Sequence, residues 1–179
     1  MIVSTQNEID TLRKSVIQNA EASLAVMQRQ ITSADALSFF FSVKFDQLGH
    51  DPINGKPQNL IEQINQMYSD LVVLAAAEDL LQQHPGAVLE LQLGSSAGHD
   101  IRSADGQIAA ECFAVTSTAS NRKMEKDCKK LMKSDAAVKC IYFYSHLDSD
   151  DRIASFAHKH PDIRFVRIKA TELKTSTGS

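Results

Sequence analysis

Cysteine is scarce in this chain, and the little there is makes no site. Cys112, Cys128 and Cys140 are three in 179 residues. That odd number, without a CxxC pair, argues against a disulfide framework and a zinc site and leaves them as small apolar core residues. Long hydrophobic runs are missing too. Nothing approaches the roughly 18 residues of a membrane span, and the opening MIVSTQNEID lacks the basic and apolar segments of a secretory signal, so a cytoplasmic location away from membranes is expected. There is no P-loop, GxGxxG, GxSxG or HExxH pattern and no internal repeat. The six histidines fall at no spacing of a ligand set.

What is present suits a globular chain: 43% hydrophobic and 23% charged residues, at a length for one domain with an appendage. The net charge of −3 is not that of a generic polyanion binder, but the charge is unevenly spread. From Arg122 to Lys133, six basic residues (Arg122, Lys123, Lys126, Lys129, Lys130, Lys133) stand against Glu125 and Asp127, a patch able to recruit phosphate locally. A solvated helix face is the plainer reading of the same charges.

Periodicity divides the chain. Ile9, Leu12, Val16, Ala20, Leu24, Met27 and Ile31 recur at threes and fours, which predicts a helix from Thr5 to Ile31. Its narrow apolar stripe can pack on the domain or pair with a second copy as a homodimer. A short helix capped by Ser33 or Asp35 follows, with Phe39, Phe40, Phe41 and Phe45 expected in the core. GHDPINGKPQ is a loop. Asn59 to Gln83 is a long amphipathic helix ended by His84-Pro85-Gly86. Glu78, at the edge of its apolar stripe, either faces solvent or reaches inward as a further ligand. Strands are expected at Ala87 to Leu93, Val138 to Tyr144 and Ile163 to Ile168, helices at Ser120 to Ser134 and Asp150 to His160, and a disordered tail at the end. The division is a helical extension over 1–58, a core over 59–170 and a tail over 171–179.

The stretch that organises the rest is GHDIRSADGQIAAECFAV. Asp105-Gly106 is a hairpin dipeptide, so Gly98 to Ala104 pairs antiparallel with Gln107 to Thr116. Alternation puts Ile108, Ala110, Cys112 and Ala114 on one face and Ala109, Glu111, Phe113 and Val115 on the other. Glu111 is the anomaly, because an unpaired carboxylate is costly in an apolar strand. The hairpin brings Asp100 to the neighbouring strand. Two readings stand: the acids share a divalent cation, or Asp100 is a surface residue and Glu111 pairs with a lysine of the next helix.

The order of elements, αβββαβαβ, with acids at 100 and 111, resembles the PD-(D/E)XK superfamily of restriction-endonuclease-like nucleases over about two thirds of the chain, from Asn59 to Ala170. The resemblance implies an α/β fold with a mixed sheet flanked by helices, and a Mg²⁺-dependent (or Mn²⁺-dependent) nuclease acting on DNA in restriction or another defence. It implies metal ligands at Asp100, Glu111 and the backbone carbonyl of Cys112. The family's lysine, two places beyond the second acid, is Phe113 here, so the lysine is expected from the following helix as Lys123 or Lys126. Lys123, Lys126, Lys130 and Lys133 would then bind nucleic acid. The alternative is a catalytically inactive module of the same fold that binds nucleic acid or a protein. A lysine reaching the carboxylates favours the first reading, and Phe113 sealed in the core favours the second.

Overall fold

Thr5 starts the first helix by a reciprocal exchange. Its Oγ1 accepts the Glu8 N–H at 3.4 Å while Glu8 Oε2 accepts the Thr5 N–H at 3.0 Å, a capping box that satisfies two amides left free by the first turn. The computed structural model describes residues 1–94, 98–118 and 122–174. Helix α1 (Gln6–Ser33) is preceded by a short strand β1 (Ile2–Val3). Helix α2 (Ala36–Phe45) is capped by Asp35, whose Oδ1 accepts from the Leu37 and Ser38 amides at 3.1 Å. A small antiparallel pair, β2 (Gly49–His50) with β3 (Pro57–Gln58), lies inside the expected loop. Helix α3 (Leu60–Gln83) is capped by Asn59.

The remaining elements are β4 (Leu89–Leu91), β5 (Ile101–Ser103), β6 (Ile108–Val115), α4 (Lys123–Met132), β7 (Val138–Ser145), α5 (Asp150–Lys159), β8 (Arg164–Arg167) and a short helix α6 (Ala170–Lys174). The expected start of α4 at Ser120 and the last residues of the tail, 175–179, lie outside the described residues. Residues 170–174, the edge of the expected tail, are helical.

Six strands form one mixed sheet in the order β1-β4-β5-β6-β7-β8. The pairs from β1 to β6 are antiparallel, whereas β6, β7 and β8 run parallel. The α/β class and the mixed sheet are therefore as the alternation and the intervening amphipathic helices require. The hairpin register pairs Ile101 with Ala110 and Arg102 with Ala109. Within its turn only Gly106 has positive φ (73°). Asp105 instead accepts hydrogen bonds from Ser103 Oγ at 2.5 Å and from the Gln107 amide at 3.0 Å.

The two faces of β6 belong to two cores. Ile108, Ala110 and Cys112 pack with α1 and α3, through residues such as Ile9, Val16, Leu74 and Leu80. Ala109 and Phe113 pack with Met124, Cys128, Leu131 and Phe143 beneath α4. The N-terminal residues share the first core: Val3 is buried and β1 extends the main sheet by pairing with β4. Helix α2 departs from expectation. None of its residues is buried, and Phe40, Phe41 and Phe45 are exposed rather than in the core. No helix among the described residues is long and apolar enough to cross a membrane.

Candidate acidic site

Asp100 stands just before β5, one step beyond the last paired residue, opposite Glu111 in the register that joins Ile101 to Ala110. Its Oδ2 accepts the Cys112 N–H at 2.7 Å. The carboxylate thus satisfies a β6 amide where the partner strand has not yet begun. Its other oxygen has no hydrogen bond among the described residues. Burial raises the Asp100 pKa; the Cys112 N–H opposes the rise, Glu111 adds to it, and Lys123 and Lys130 reduce it.

Glu111 is only 1% exposed, and both its oxygens are engaged. Oε1 meets His99 Nδ1 at 2.5 Å and Oε2 accepts from Lys130 Nζ at 2.7 Å. Lys130 also donates to the Gly98 carbonyl, so one ammonium ties α4 to β6 and to the segment that leads into β5. This answers the cost of the carboxylate in an apolar strand: the buried charge is paired on both oxygens. The lysine is Lys130, however, and not Lys123 or Lys126. Lys130 follows Lys123 by seven residues, two turns along the same stripe of the helix, and it is this second position that stands over Glu111. Lys123 pairs with Asp127 Oδ1 at 2.9 Å and lies over the Phe113 ring, 5.6 Å from its centroid. Burial opposes the Lys123 charge, but Asp127, with help from Asp100 and Glu111, holds its pKa above the ordinary value. Lys126 and Lys133 are exposed and make no ion pair with these acids.

Two acids outside the sequence expectation complete the cluster. Asp70 of α3 is 2% exposed; Oδ1 accepts the Gly94 N–H at 3.1 Å, while Oδ2 is buried without a hydrogen-bond partner. Burial pushes its pKa up to about 6, against the Gly94 N–H and the Gln66 amide, and Asp51 and Asp100 push the same way. Asp127 of α4 repeats the pattern. Its Oδ2 is buried and unpartnered, and burial, opposed by Lys123 and reinforced by Glu111 and Asp100, raises its pKa to about 6. Glu78 does not join them. It pairs with Arg13 of α1 at 3.3 Å, because its side of α3 faces α1 rather than the hairpin. The acid that α3 contributes is Asp70, at the head of the run LVVLAAA.

Asp100, Glu111 and Asp127 therefore influence one another, with Lys123 and Lys130 as the ammonium groups among them, and Asp70 is linked to them through Asp100. An excess of buried negative charge favours a cation. On the α3 side Asp70 lines a cavity of about 770 Å³ shared with Asp51, Gln58, Asn65, Gln66 and Gly94. Among the described residues no three His, Cys, Asp or Glu side chains form a ready-made metal cage. Mg²⁺ does not need one, since it is commonly held by one or two carboxylates, with water and substrate phosphate completing the shell. The free oxygens of Asp70 and Asp100 fit that donor set. The Cys112 thiol does not: it is buried, and burial together with Asp100 and Glu111 keeps its pKa well above the ordinary value.

Phe113 is buried and stacked on Phe143, with ring centroids 5.8 Å apart. Both conditions set by the sequence are thus met at once: a lysine reaches the acids, and Phe113 is sealed in the core. Comparison with known proteins finds no matching family model, curated protein or solved structure.

Proposed function

We propose that this chain is a Mg²⁺-dependent phosphodiesterase acting on DNA, with a restriction-endonuclease-like core over 59–170. The observation that carries the reading is the joint geometry of Asp100, Glu111 and Lys130: one acid on the backbone beside the other, and a lysine from the next helix in place of the one that Phe113 displaces. Asp100 and Asp70 would hold the ion through their free oxygens, with Glu111 on the far side. The carbonyl of Cys112 belongs to the same donor set, because a strand residue exchanges its N–H and C=O with the same neighbour and the Cys112 N–H is turned to Asp100. Bound there, Mg²⁺ supplies Lewis-acid polarisation of a phosphate and a more acidic water. Lys130 orients Glu111 and offers its ammonium to the charge that grows on the phosphoryl oxygens. His99 fixes the other Glu111 oxygen. Lys126 and Lys133, solvated along α4, are suited to the sugar–phosphate backbone on either side. A role in restriction or another defence against foreign DNA is part of the same proposal and rests on the resemblance alone.

A second reading has an observation of its own. Both Glu111 oxygens are occupied by cationic or hydrogen-bonding partners, an arrangement that suits a neutralised, non-catalytic module binding DNA through the α4 lysines. Titration of Mg²⁺ or Mn²⁺ with plasmid DNA separates the two. Cleavage by the parent and its loss in Glu111→Ala is the expected result. Salt-dependent DNA binding with no cleavage at any metal concentration selects the non-catalytic module.

A further inference from the structure

The apolar stripe of α1 is used over only half its length. Ile9 and Val16 are buried against α3, and Ser23 Oγ still reaches His50 Nδ1 at 2.9 Å. Beyond Ser23 the same stripe continues through Leu24 and Ile31, both more than half exposed. Five residues after Ile31 α2 begins, a helix of ten residues, ALSFFFSVKF, with none buried. Leu24, Ile31, Leu37, Phe40, Phe41 and Phe45 are between 53% and 83% exposed. At the roughly 200 Å² that such side chains present, they leave about 750 Å² of apolar surface. The largest apolar patch on a monomer is typically ~300–600 Å², and a stable interface takes ~800 Å² from each partner.

We propose that the α1 end and α2 form the interface of a homodimer, in which two copies pack this patch on itself about a two-fold axis. The area is what one half of such an interface needs. An isologous contact must also be self-complementary, and α2 is. Its one charge, Lys44, lies near the C-terminal end, over the Phe45 ring at 5.2 Å, while Asp35 caps the N-terminal end. Antiparallel packing therefore carries each Lys44 toward the Asp35 end of the other copy. A lipid surface fits less well, since helices lying in a membrane interface carry a face rich in Lys and Arg, and α2 has none. The proposal is independent of the acidic site.

Sedimentation equilibrium of the full chain at tens of micromolar should give twice the 19.7 kDa of one chain. Phe40→Asp/Phe41→Asp should return it to a single-chain mass, raising the dimer dissociation constant at least ~100-fold with an unchanged far-UV spectrum. Leu37→Asp, at the most exposed of these positions, should weaken the dimer in the same direction and serves if the double variant misfolds. A single-chain mass for the parent at tens of micromolar, or a dimer undisturbed by all three substitutions, overturns the interface. Binding of a monomeric parent to phosphatidylcholine–phosphatidylglycerol vesicles, lost in Phe40→Asp/Phe41→Asp, overturns it in favour of a lipid surface.

Discussion

Lys130 and Lys126 are four residues apart on one helix, yet only the first touches Glu111. If the acidic site cleaves DNA, Lys130→Ala should lower turnover by a factor corresponding to about 2.7–4 kcal/mol, the usual cost of a lost transition-state charge contact. Lys126→Ala should leave turnover unchanged and weaken DNA binding; single-turnover cleavage beside a salt-dependent binding curve distinguishes the two effects. Asp70 supports a second prediction, on stability. Its folded pKa of about 6 lies above the ordinary 3.8. The native state therefore holds more protons than the unfolded chain between about pH 4 and 6, and stability falls as pH rises through that window. A shift of two units corresponds to roughly 3 kcal/mol. Asp70→Asn keeps the acceptor for the Gly94 N–H, so it should stabilise the protein at pH 7.5 by up to about that amount and have little effect at pH 4. Thermal melts across pH check this, and the same variant should lose Mn²⁺ affinity in calorimetry.

At the scale of elements, α4 and α3 are held to the sheet by different chemistry. Under α4 the link is mostly apolar, and Phe113→Ala should cost about 3–5 kcal/mol by opening a cavity beside Phe143, read from the urea midpoint. Between α3 and the parallel strands a polar triad is added to the apolar core. Tyr142 Oη donates to Asp79 Oδ2 at 2.6 Å, and Arg164 Nη2 reaches both the same oxygen, at 3.0 Å, and the Tyr142 hydroxyl. Tyr142→Phe removes that hydroxyl from a buried ring and should cost about 1–3 kcal/mol. Amide exchange in β7 and β8 should quicken more than in β4, which the triad does not touch. The faces of β6 were legible beforehand, because alternation in an extended strand leaves no choice. The rotation of α3 was not. Its middle is apolar nearly all round, with Leu71, Val72, Val73 and Leu74 all buried, so spacing alone does not tell that Asp70 is buried at Gly94 while Glu78 pairs with Arg13.

For the whole molecule, the decisive fact is that β1 and α1 share the core of the main sheet. Val3, Ile9 and Val16 are buried in the same cluster as Leu74, Leu89 and Ile101. The segment 1–58 is therefore expected to unfold together with 59–170 in one transition, with calorimetric and van't Hoff enthalpies equal when measured on the Phe40→Asp/Phe41→Asp variant. A fragment of residues 59–170, stripped of that cover, should show no cooperative melt. Two separate transitions, or a stable fragment, would instead support the division at 58.

The sequence alone determined the order of elements from α3 to β8, the two faces of the hairpin strand and the presence of two acids beside one turn. Each of these follows from periods of 2 and 3.6 and from turn chemistry, which act over a few residues. Tertiary structure decided which lysine serves Glu111, that Asp70 and Asp127 join the acids, that His99 closes the cluster and that the α2 phenylalanines stay outside. Those outcomes depend on how far a helix is rotated and slid over a sheet. Such placement is set by the packing of residues distant in sequence, and no local pattern encodes it.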